Sequence, residues 1–100
     1  MVTVGLLVRV EAKPGKEQAV ADFLSGAQAI VDGEPGTTAW FAVRFSDSSF
    51  GIFDVFPDDE SRQAHLTGAV GQALMANAEE LLSAPPSIEH VDLLGSKLPA

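Results

Sequence analysis

Cysteine and tyrosine are absent from these 100 residues, and histidine occurs only at His65 and His90. The lack of cysteine removes disulfides and the thiolate ligands of a closed zinc site. The two histidines lie far apart without metal-ligand spacing, so no metal is expected. Cations are scarce as well: six Lys and Arg stand against fourteen Asp and Glu, for a net charge of −8. Arg9, Lys13, Lys16, Arg44, Arg62 and Lys97 are scattered singly, whereas a phosphate backbone is held by clusters. That argues against nucleic acid as a partner, and against an anionic membrane surface. No apolar run approaches the ~20 residues of a membrane span. The opening Met1-Val2-Thr3-Val4 is strand-like and lacks the basic region and cleavage site of a signal peptide. The expected location is cytoplasmic.

What the chain has in quantity is apolar side chains, 46 % of residues. Its length makes one domain, 1–100, which buries only roughly 60–65 % of the surface its unfolded form exposes. Small domains offset that deficit with disulfides, a metal or a partner subunit, and here only the partner is left.

The order of elements follows from periodicity. Val2 to Val10 alternates, with Val2, Val4, Leu6, Val8 and Val10 on one side, which is the period of a strand. Lys13-Pro14-Gly15-Lys16 breaks it and starts a helix whose stripe is Val20, Phe23, Leu24, Ala27, Ile30 and Val31. Asp32-Gly33-Glu34-Pro35-Gly36 stops that helix. Thr37 to Phe45 and Phe50 to Phe56 read as a hairpin around the polar link Ser46-Asp47-Ser48-Ser49. A second helical region follows Pro57 with Asp58 as N-cap, and Gly68 and Gly71 mark a kink or split in it. Pro85-Pro86 closes the region, and Ile88 to Leu94 is a last strand. The sum is an α+β, ferredoxin-like β-α-β-β-α-β fold: a four-stranded antiparallel sheet with the helices on one face. In the middle strands Phe41, Val43 and Phe45 alternate with Trp40, Ala42 and Arg44, so neither face is polar enough for solvent. A second copy packing sheet against sheet would cover the free face, which predicts a homodimer.

Three segments carry a resemblance to a known family. They are Glu11-Ala12-Lys13-Pro14-Gly15-Lys16-Glu17 after the first strand; Glu34-Pro35-Gly36-Thr37-Thr38; and Phe50-Gly51-Ile52-Phe53-Asp54-Val55-Phe56, followed after a capped turn by Ala64-His65-Leu66. Over essentially the whole chain they resemble the antibiotic biosynthesis monooxygenase family of small dimeric α+β barrel proteins. The resemblance implies a homodimer with a pocket in each subunit, between sheet and helices. Characterised relatives oxygenate phenols or hydroquinones to quinones without flavin or metal, so it implies no cofactor. A haem-degrading branch uses an asparagine on the first strand, a tryptophan near the end of the third and a histidine on the second helix. Here no asparagine precedes Asn77, and Phe56 stands where that tryptophan would be, which disfavours haem degradation. The absence of tyrosine excludes a tyrosine-dependent form of the phenol chemistry. The acidic position on the third strand, usually glutamate in quinol-oxidising relatives, is Asp54, with a shorter reach.

Triplet dioxygen reacts slowly with closed-shell molecules, so a cofactor-free oxygenase must make its substrate electron-rich. Deprotonating a phenol does so, and needs a positioned base in a dry aromatic pocket. His65 is the candidate base, with an ordinary pKa of about 6.5. Asp54 could orient it or take the proton itself. Trp40, Phe23 and Phe56 are candidate walls for a small aromatic substrate. Each also has a structural reading. His65 could bond a helix end near Gly68, and Asp54 could pair with Arg44 or Arg9. Trp40 and the phenylalanines could be core or interface. His90 and Asp92 read as edge or interface groups, and Asp58-Asp59-Glu60 as a helix start without the spacing of a calcium loop. The expected function is a cofactor-independent monooxygenase. A non-catalytic dimeric module binding a small ligand or partner, and an isomerase or cyclase using the pocket for proton transfer alone, are the alternatives.

Overall fold

The computed structural model describes residues 1–99. The chain runs β1 (Val4–Glu11), α1 (Glu17–Val31), β2 (Ala39–Arg44), β3 (Ser49–Phe56), α2 (Asp59–Leu66), α3 (Ala69–Leu81) and β4 (Ser87–Asp92). The strands form one antiparallel sheet in the order β2-β3-β1-β4. This is the ferredoxin-like arrangement, with the second helical region divided in two.

The division has a local cause. Thr67 ends α2, Gly68 caps α3 in extended conformation, and α3 then passes close to the end of α2. A Cβ on Gly71 would stand 2.1 Å from the Leu66 carbonyl oxygen, so only glycine allows that approach. The predicted break at Gly68 and Gly71 is therefore a change of helix direction.

Alternation along β1 and β3 sends Leu6, Val8, Val10, Phe50, Ile52 and Phe56 to the helix side, where all are buried. Val8, Val10, Phe50 and Ile52 meet Val20 and Leu24 of α1 and Leu74 of α3 in one apolar core. At ~25 cal/mol per Å² of apolar area, that layer is the main stabilising term. The buried line of α1 is Val20, Leu24, Ala27 and Val31. Ile30, expected on the same stripe, is 44 % exposed. It sits about 100° around the helix from Val31, outside the contact. Strand ends differ by one or two residues from the pattern: β2 begins at Ala39 because Thr37 still belongs to the preceding turn.

The sheet register places the site. Asp54 on β3 lies opposite Trp40 on β2 and Leu6 on β1, and Leu6 lies opposite His90 on β4. Directly paired residues share a face, so all four point to the helix side. The other face carries no helix. There Phe41, Val43 and Phe45 are 53, 39 and 48 % exposed. Arg9 lies over the Phe45 ring at 4.6 Å.

Candidate functional site

α2 is a short helix held in a fixed direction. Asp58 caps it, its Oδ1 accepting the Ser61 backbone N–H at 2.8 Å. That bond holds the Asp58 carboxyl below its ordinary pKa of 3.8. Arg62 donates to Asp59 Oδ1 and to the carbonyls of Gly5 and Val91 at 3.3 and 3.2 Å, tying the helix to β1 and β4. Three residues further on, His65 faces the sheet.

The His65 ring is engaged on both sides. Nε2 is 2.9 Å from Asp54 Oδ2, and Nδ1 is 2.5 Å from Glu34 Oε1. Thr37 donates its hydroxyl to the same Glu34 oxygen at 2.8 Å. Phe56, fully buried, tilts against the imidazole with centroids 5.4 Å apart. Burial by itself would push the imidazole pKa down. The hydrogen bonds and charges of Asp54 and Glu34 outweigh it, and the pKa stands above the ordinary 6.5.

Asp54 is 1 % exposed, and its Oδ1 has no hydrogen-bond partner. The Nε1 of Trp40, its cross-strand neighbour, is buried and unpartnered too. Buried polar atoms left open are uncommon and mark places where a ligand or water completes the bonding. Asp54 and His65 together border a cavity of about 60 Å³ between the sheet and α2–α3, with Leu6, Ile52, Val70 and Met75. That volume suits a few waters. An aromatic ring enters only if the rim yields, and Met75, 59 % exposed, is the flexible part of the rim. Across His65 lies an outer groove of about 440 Å³ lined by Glu34, Thr37, Ser61 and Ala64.

The other residues singled out from the sequence lie apart from that cavity. Trp40 packs between the core clusters, and Phe23 packs on the Val20–Leu24 side of the core. Phe56 backs the imidazole and does not border the cavity. Arg9 is on the opposite face, and Arg44 lies over Phe50 at 4.8 Å, so the partner of Asp54 is His65. His90 and Asp92 are exposed on the edge strand. Among the described residues, no group of three or more His, Cys, Asp or Glu is arranged to hold a metal ion.

Glu34 is the site residue that the sequence hides. It stands in a turn read as a helix stop and as part of a resembling segment, with no role assigned to its carboxylate, because no periodicity gives a turn residue a direction. Its place comes from the chain leaving α1, with the Glu34 N–H donating to Val31 and its carbonyl accepting from Thr37.

No family model and no curated protein matches the chain. Among solved structures, the Nitrosomonas europaea protein NE2512, of unknown function, is 58 % identical over 100 % of this chain and 97 % of its own, with a TM-score of 0.98. PA3566 from Pseudomonas aeruginosa is 20 % identical over 95 % of this chain and 97 % of its own, at 0.80. A second Nitrosomonas europaea protein, provisionally named an antibiotic biosynthesis monooxygenase, is 15 % identical over 92 % of this chain and 90 % of its own, also at 0.80. The last two share the fold.

Proposed function

We propose that this chain, which belongs to one family with the Nitrosomonas europaea protein NE2512, is a cofactor-independent monooxygenase for a small aromatic phenol or hydroquinone. The observation that carries the reading is the Asp54 carboxylate. It is buried, held through one oxygen by His65, and open at the other beside a cavity. The fold shared with the provisionally named monooxygenase supports it.

Both His65 nitrogens face carboxylate oxygens, so the ring has no free lone pair for a substrate proton. Asp54 Oδ1 takes that proton, and His65 orients the carboxylate and balances its charge. The aryloxide passes one electron to dioxygen. The radical pair combines at a ring carbon, the resulting peroxide takes the proton back from Asp54, and the hydroperoxide so formed loses water. A phenol plus dioxygen thus gives a quinone plus water, with no outside reductant. Apolar walls keep bulk water from the intermediate.

The protein acts in this reading as a homodimer. The helix-free sheet face with exposed Phe41, Val43 and Phe45 supports that state, since such a patch is costly to leave in water. The test of function is oxygen uptake by metal-stripped protein against hydroquinones, anthrone-like phenols and flavonols. Substrate-dependent uptake that is lost in Asp54→Asn is the expected result. Uptake equal in both proteins would remove Asp54 from the chemistry. Turnover without oxygen would favour the isomerase alternative.

A further inference from the structure

We infer that Glu34 is the proton port of this site: Glu34, His65 and Asp54 form a path from the inner cavity to the outer groove. The inference rests on Asp54 being the base, and it assigns the exchange with water that holds the charge of the site constant while buried Asp54 gains and then returns a proton. Asp54 is 1 % exposed and has no surface of its own from which to shed a proton. His65 is the wall between the two spaces, with Nε2 toward Asp54 and Nδ1 toward Glu34. Glu34 is 22 % exposed in the outer groove, the one member of the trio that meets water appreciably. Thr37 pins Glu34 Oε1 on the ring and leaves Oε2 on the groove side, near Gly68.

Among the described residues, no other ionisable group pairs with the ring. β3 presents Asp54 and the turn after α1 presents Glu34, while Arg62 of α2 turns to Asp59 and to the carbonyls of Gly5 and Val91. β1 and α3 present Leu6, Val70 and Leu74 around the cavity.

The protons balance. With one proton on each ring nitrogen and both carboxylates ionised, the trio carries a net charge of about −1 by the side-chain inventory. A substrate proton on Asp54 Oδ1 makes it neutral. Glu34 then takes the Nδ1 proton and releases it to groove water, leaving a neutral ring protonated on Nε2. When the peroxide formed later takes the Asp54 proton back, groove water returns one proton to Nδ1 through Glu34, and the trio regains its starting protons at their starting positions. Glu34 touches neither substrate nor oxygen, so it is a positioning and relay residue.

The test needs no substrate. NMR of the ¹⁵N-labelled chain follows the His65 ring nitrogens through a pH titration. In the wild type, proton exchange is fast and one averaged signal moves with pH. In Glu34→Gln the isosteric amide still covers Nδ1 and cannot take up the proton. Exchange then slows by about 100-fold or more, the scale of a lost acid–base group, and charged and neutral rings give separate signals. Glu34→Ala admits groove water to Nδ1 and restores fast exchange. Separate signals in the wild type, or fast exchange in Glu34→Gln, would overturn the port. The wild-type titration decides alone should a variant not fold. A protein that consumed no oxygen would still give this readout, so port and oxygenase can fail separately.

Discussion

At the scale of single residues, the energetics turn on a charge that the fold has taken out of water. Asp54 is nearly inaccessible and its one partner is His65. Removing one side of a buried pair leaves the other uncompensated, so His65→Ala is expected to cost about 3–5 kcal/mol in denaturant unfolding. A loss under about 1 kcal/mol, the scale of an exposed ion pair, would mean the pair is hydrated in solution. The pH dependence follows from the same contacts. The His65 pKa is raised in the folded state, so the group's contribution is fully present below its unfolded value of 6.5. It is lost as pH rises through the higher folded value. The melting temperature of the wild type should therefore fall on the alkaline side of neutrality, and His65→Ala should lack that fall; a wild-type curve flat there would contradict the raised pKa. His65 could be singled out in the sequence as one of two histidines, with an ordinary pKa near neutrality, and strand parity put the Asp54 carboxylate beside Ile52 and Phe56. Glu34 could not, since no period governs a turn and its partner lies 31 positions away.

At the scale of elements, the site depends on the direction of α2, fixed at one end by the Arg62 bonds and at the other by the close approach at Gly71. Gly71→Ala would drive a methyl into the Leu66 carbonyl, one residue beyond His65. The expected cost is about 1–3 kcal/mol, the scale of overpacking. A displaced His65 ring signal in the NMR spectrum should accompany it. An unchanged melting temperature and ring signal would show that the α2–α3 junction is loose. The strands and α1 were legible because each repeats its apolar period over several turns or pleats. The split between α2 and α3 was legible from Gly68 and Gly71, but the angle between them was not. That angle depends on where Arg62 finds carbonyl acceptors, and those lie on strands distant in sequence. Likewise Ile30 departs from the stripe read from spacing, which is wider than the line α1 actually buries.

At the scale of the whole molecule, sequence alternation already left one sheet face without cover, and the structure puts Phe41, Val43 and Phe45 on it. Phe41→Asp and Val43→Asp should each convert a dimer to a folded monomer in sedimentation equilibrium, with unchanged far-ultraviolet circular dichroism. A wild-type monomer at micromolar concentration would remove the second copy from the account. The aromatic pocket was the least legible feature. Trp40, Phe23 and Phe56 are spent on core and on backing the imidazole, and the cavity beside Asp54 is bounded chiefly by aliphatic side chains. The central claim is that Asp54 opens a phenol to direct attack by dioxygen, and isotope labelling tests it most directly. Metal-stripped protein would be given ¹⁸O₂ and each phenol that supports uptake, with Asp54→Asn alongside, and the quinone weighed by mass spectrometry. One heavy oxygen is expected in the wild-type product and no quinone from the variant. Product without label, or labelled product formed equally by Asp54→Asn, would contradict that claim.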